Sequence, residues 1–247
     1  MANAEMAEKP KRTKKVKTIA PPPEPVFHCE FCKKDFVREG SLLKHMCEKK
    51  RRWLWRDEKY IRIGFIAFQK FYELSLRSKK PKTYSDFMDS LYFTAFTKFG
   101  RYVEHIAAIE PAGFIEFLVK GNVKLDDWIN EIWYESWVRE LAKKESPMRA
   151  VERNILLMEQ WGREYNENWV DFFRKVPTTQ ATTWIRKGRI SPWLLYCGVG
   201  QPLFDRMSDE QLGMVKEWIN PMFWTAKLRD NKSDVEEIKQ ILQEAGV

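Results

Sequence analysis

From Trp53 onward, apolar positions recur mostly at three- and four-residue steps, the pattern of helices that bury one face. Tyr60, Ile61, Phe65, Phe68, Phe71, Tyr72 and Leu76 mark the first such helix, which "RSKKPKT" at 77–83 interrupts. Ser85 is placed to cap a second, with Phe87, Met88, Leu91, Tyr92, Ala95, Phe96, Phe99 and Val103 as its apolar set. Pro111 opens a short helix through Phe114, Phe117 and Leu118, and Gly121 stands where it should end. Trp128, Ile129, Ile132, Trp133, Trp137 and Leu141 form an aromatic stripe on a fourth, and Pro147 starts a fifth, "PMRAVERNILLMEQWGREY". Shorter helical pieces follow. In the last, "SDVEEIKQILQEAGV", Ser233 and Glu236 have the spacing of a capping box. Glycine is scarce, and strand-like alternation and internal repeats are absent from this region. The expected fold class is mainly α, with an all-α helical domain over residues 53–247.

The first 52 residues follow another pattern. Residues 1–26 carry the basic run "KPKRTKKVK" and a stiff "PPPEP" spacer, and are expected to be a disordered tail. Residues 27–52 then place Phe27, Cys29, Cys32, Phe36, Leu42 and His45 at a fixed spacing. Two residues between Cys29 and Cys32 let both sulfurs on a tight turn face one ion. Leu42 and His45, three apart, share a helix face. These six positions resemble the two-Cys, two-His zinc-finger family. The resemblance implies a small ββα-like module, one Zn2+ per chain, and a metal that supplies the folding energy.

The departure is the fourth ligand. Where the family has its second His, this chain has Lys49, Lys50 and Arg51. The nearby donor is Cys47, and residues two apart on a regular helix point roughly 200° from each other. His45 and Cys47 therefore share an ion only if the helix ends near His45 and the chain curls back. His28 adjoins Cys29 and is a poor substitute. The variant expected is Cys29, Cys32, His45 and Cys47 with a shortened helix; a finger-like segment without metal is the alternative.

By the same resemblance, Arg38, Ser41 and Lys44 correspond to the helix positions that reach three successive bases in the major groove. Lys49, Lys50, Arg51 and Arg52 then offer phosphate contacts. The charge distribution favours a polyanion: residues 1–62 hold 17 Lys/Arg against 9 Asp/Glu, whereas the remaining residues hold 26 of each. One finger reads too little to find a site alone and needs a basic flank or a second reader. Single fingers also bind RNA or proteins, and those partners remain open.

A second element lies in the body. Between Phe172 and Phe204 there is no acidic residue, but Arg174, Lys175, Arg186, Lys187 and Arg189 are present. Residues 169–196 resemble a phage-repressor-type helix-turn-helix: a short apolar helix, a Thr/Gln-rich start to a second, an inward Trp-Ile pair, then Gly188 and a basic residue. The resemblance implies that Thr179, Gln180, Thr182 and Thr183 face bases and that Arg186, Lys187 and Arg189 hold phosphate. The same residues also fit an ordinary loop and helix of an α-bundle.

Aromatic residues at 14%, eleven of them tryptophan, require a packed body. No run of 18 apolar residues exists, and the start lacks the apolar stretch of a secretory signal, so an intracellular protein away from membranes is expected. In that setting four cysteines read as metal ligands or core thiols, with Cys197 as a buried free thiol. No nucleophile–base pair, phosphate loop or catalytic metal signature is present, so no enzyme is expected. These residues point to a zinc-finger nucleic-acid-binding protein, a DNA-binding regulator. An assembly scaffold that binds proteins and an RNA-binding factor are the alternatives.

Overall fold

The computed structural model describes residues 27–76 and 80–247; the tail expected over 1–26 lies outside the described residues. The chain divides into two compact units, Met1–Trp53 and Leu54–Val247. The first unit holds an antiparallel hairpin, β1 (Phe27–His28) and β2 (Asp35–Phe36), with Phe27 opposite Phe36 and His28 opposite Asp35. A short helix α1 (Glu39–Lys44) follows, and α2 (Glu48–Leu54) crosses the division.

The second unit is mainly α, as the periodicity requires. Helix α3 (Lys59–Leu76) buries Ile61, Ala67 and Phe68. It packs along α5 (Phe93–His105), and the two backbones meet at glycines. A Cβ on Gly64 would lie 2.7 Å from the Phe96 carbonyl oxygen, and one on Gly100 would run into the Tyr60 carbonyl oxygen. This close approach brings the aromatic faces together: Phe96 and Phe99 pack edge-on against Trp128, and Phe68 against Phe96. Helix α6 (Pro111–Lys120), capped at Gly121, lies against α3 and adds Phe114, Ile115 and Leu118 to this core.

Three expectations need correction here. The helix from Ser85 to Val103 is two helices, α4 (Tyr84–Asp89) and α5. Thr83, not Ser85, is the cap: its hydroxyl accepts from the Asp86 amide, and the Asp86 carboxylate accepts from the Thr83 amide. Ser90 turns extended, its hydroxyl accepts from the Tyr92 amide, and Leu91 is left 96% exposed. The stripe around Trp128 is likewise split. Trp128 and Ile129 belong to a separate 3-10 turn, Leu125–Ile129, and Asn130 caps α7 (Glu131–Lys144). The face that α7 buries is Tyr134, Val138 and Leu141, while Ile132 is exposed. At the C-terminus Ser233 is not the cap, because the last helix begins one residue earlier, at Lys232.

Helix α8 (Pro147–Tyr165) keeps the expected bounds and buries Ala150, Val151, Leu157, Met158 and Trp161. The chain then shortens into α9 (Phe172–Lys175), α10 (Thr178–Arg186), α11 (Pro192–Leu194), α12 (Gln201–Phe204) and α13 (Asp209–Val215). Helix α14 (Pro221–Asp230) ends where the Asn231 side chain donates to the Lys227 carbonyl at 2.6 Å, and α15 spans Lys232–Glu244. One buried ion pair ties α7 to α8: the Arg153 guanidinium donates to both oxygens of Glu145, which is 7% exposed. Among the described residues no helix is long and apolar enough to cross a membrane.

Candidate metal centre

The hairpin turn sets the first two donors. The Cys29 amide donates to the Lys34 carbonyl, and the Lys33 amide returns to the Cys29 carbonyl, both at 2.9 Å. Lys33 takes a left-handed conformation, φ 60°, which closes the turn. The Cys32 amide, and after it the Phe31 amide, point at the Cys29 sulfur and draw its thiol below the ordinary value. Amide donors aimed at sulfur favour the thiolate, the form that binds metal.

The other two donors depend on how α1 stops. His45 caps it in an extended conformation, ψ 120°, so residues 45–47 leave the helix. Phe36 packs against the His45 ring at 4.8 Å between centroids and orients it. The chain then turns, and Cys47 comes back to the hairpin. Its sulfur accepts from the Lys50 amide at 3.4 Å, in the manner of an N-cap residue, so the start of α2 holds it in place.

The result is one cluster. The ligand atoms of Cys29, Cys32, His45 and Cys47 all lie within 4.8 Å of one another. Cys29 Sγ is 3.9 Å from Cys47 Sγ, and Cys32 Sγ is 3.2 Å from His45 Nε2. A tetrahedral ion with sulfur at about 2.3 Å and nitrogen at about 2.0 Å spaces its ligand atoms about 3.5–3.8 Å apart. These residues therefore have the donor set and spacing to hold one metal ion. His28 is not among them, because it pairs across the hairpin with Asp35.

The residues expected to meet nucleic acid fall into two groups. In the first unit, Arg38, Ser41, Lys44 and Arg51 are exposed. Arg38 is the N-cap of α1, and Ser41 and Lys44 are its third and sixth residues. Lys49 and Lys50 are half-buried; Lys50 Nζ bends back to the His45 carbonyl at 3.5 Å, and Arg52 pairs with Glu48.

In the body, Thr179 and Thr183 on α10 are exposed and Gln180 is half-buried. Thr182 is buried, its hydroxyl donating to the Thr178 carbonyl at 2.8 Å, so it does not face solvent as the resemblance implied. Arg186 pairs with Glu135 and lies over the Trp218 ring, and Arg189 lies over Trp184, its guanidinium pKa lowered by burial. Lys187 is the C-cap of α10 and half-buried. The turn before α10 is held by Arg206, which donates to the Phe173 and Val176 carbonyls, and α13 packs against α10. These partners come from 135, 206 and 218, too far along the chain for any local pattern to announce.

Cys197 stands apart from the cluster as a buried free thiol, pushed up to about 11 by burial. The chain matches no protein-family model, no curated protein and no solved structure.

Proposed function

We propose that this chain is a zinc-finger protein that binds nucleic acid, with DNA as its first partner, and that it acts inside the cell as a regulator. The observation that carries the reading is the convergence of Cys29, Cys32, His45 and Cys47 on one point. Three thiols and an imidazole suit Zn2+ above harder cations. The ion would tie the hairpin to α1 and hold Arg38, Ser41 and Lys44 outward. The basic surplus of residues 1–62 supports a polyanionic partner. The reading gives the chain no catalytic role.

The test is a titration of the full chain against random and selected duplexes at several salt concentrations. Lys49→Gln with Arg51→Gln should lower the salt slope by about 0.9 for each phosphate no longer neutralised. Ser41→Ala should change sequence preference and leave the slope alone, because base contacts specify and phosphate contacts position. Binding to neither DNA nor RNA would overturn the reading. A second reading, a protein-binding finger, is favoured by the exposure of Val37, Leu43 and Met46 at 57%, 73% and 49%. It predicts an association that barely responds to salt.

A further inference from the structure

Beside α13 the second unit opens a pocket of about 420 Å3, a volume within the range of small-ligand sites. Tyr196, Phe204, Leu212, Ile219 and Pro221 line it, and Gly213 and Lys216 complete its wall. Its polar inventory is short. Tyr196 spends its proton on the Ile219 carbonyl at 2.5 Å, and its ring stands 5.8 Å from that of Phe204. Pro221 has no N–H to offer. Lys216 is therefore the side-chain donor of the lining that is not already engaged. Among the described residues its ammonium forms no ion pair. Glu217, the next residue, is taken by Arg139, and Asp209 and Glu210 stand at the far end of α13, outside the lining.

Two features keep this pocket formed and open. Tyr196 is carried on Leu195–Val199, which breaks at Gly198, φ 106°, and its bond to Ile219 ties that stretch to the chain after α13. Gly213 lies inside α13, where glycine is among the poorest helix formers. Its φ is not positive, and a Cβ there would meet nothing within 4 Å. Gly64 and Gly100 differ, because backbone atoms stand where their Cβ would be. Neither contact nor backbone conformation calls for glycine at 213. Since Gly213 lines the pocket, a longer side chain there would take up part of its volume.

We propose that this pocket binds a small aliphatic carboxylate, its chain against Tyr196, Phe204, Leu212 and Ile219 and its carboxylate at Lys216. An apolar lining with one unengaged cation is complementary to a ligand with an apolar body and one negative head. A neutral amphiphile leaves the ammonium without a counter-charge, and a cationic one meets it as a like charge. The site lies wholly in the second unit. It goes beyond the nucleic-acid reading and does not rest on it.

The test titrates the full chain with octanoate, 1-octanol and octylammonium, followed by calorimetry. Octanoate should bind saturably at one site, and more tightly than either of the others. Lys216→Gln should weaken octanoate about two- to fivefold, the range of an exposed ion pair, and leave 1-octanol unchanged. Lys216→Arg should retain octanoate. Gly213→Leu should weaken octanoate and 1-octanol alike, by about tenfold or more, because its side chain overfills the occupied pocket. The melting temperature of that variant should not fall, since leucine is a better helix former than glycine. Octanoate binding that Gly213→Leu leaves unchanged overturns the site. So does octylammonium held as tightly as octanoate, or a wild-type chain without saturable octanoate binding. A wild-type dimer in sedimentation that Gly213→Leu converts to a monomer also overturns it, because a second copy then covers the pocket. The nucleic-acid reading stands or falls separately, on the duplex titration.

Discussion

At the scale of single residues, Cys47 decides what kind of site the first unit has. Three donors at family spacing would leave an open position. Cys47 fills it because α1 ends at Lys44 and the Lys50 amide holds its sulfur. Purified protein should carry one zinc per chain by metal analysis. Cys47→Ala should weaken zinc retention about as much as His45→Ala, and Cys197→Ala should leave it untouched. Equal retention in Cys47→Ala and wild type would show that water or another donor holds the fourth position. Cys29, Cys32 and His45 were legible from spacing alone, because turn and helix periodicity are local. Cys47 was legible only as a condition, since two residues on a helix oppose each other unless the helix stops.

At the scale of elements, glycine at the α3–α5 crossing sets how closely the two helices approach. Gly100→Ala forces a Cβ against the Tyr60 carbonyl and should cost about 1–3 kcal/mol in denaturant unfolding. Gly40 on α1 has nothing within 4 Å of the same atom, so Gly40→Ala should be neutral or stabilise by up to about 1 kcal/mol. If both variants unfold alike, the crossing does not depend on contact between backbones. The cap of α4 carries a pH signature. The Thr83 amide, then the Thr83 hydroxyl, hold Asp86 below its ordinary pKa of 3.8. A carboxylate whose folded pKa is depressed adds stability above its unfolded value and loses it as pH falls through the folded value. Thermal melts of Asp86→Asn against wild type should therefore differ at pH 7 and converge toward pH 2. A difference that persists at the lowest pH would mean that the ionised cap is not its source. Sequence favours Ser85 as readily as Thr83, because both are good cap residues. The choice between them follows from Asp86, which stands three residues after Thr83 and closes a reciprocal pair, whereas Met88 stands three after Ser85.

At the scale of the molecule, the two units have separate sources of stability. The body's core runs from Ile61 to Leu242 and includes no ligand of the metal cluster. Among its described residues the first unit buries Cys29 and little else, so an ion held by the cluster would serve as its core. A strong chelator should abolish the hairpin and α1, read by amide exchange or NMR. It should shift the body's melting temperature by under about 2 °C, less than 1 kcal/mol of coupling. A larger shift would show that the body depends on the first unit. By itself the sequence determined the helical class of the body, the hairpin and its paired cysteines, and the position of the excess charge. Each is written in residues a few positions apart, where helix period, turn length and composition act. Only the tertiary structure decided that Cys47 reaches Cys29 from 18 residues away, that Thr182 is buried, and that Arg186 pairs with Glu135 across 51 residues. The physical reason is common to all three. Burial and pairing are set by whichever element packs opposite, and that element lies far along the chain.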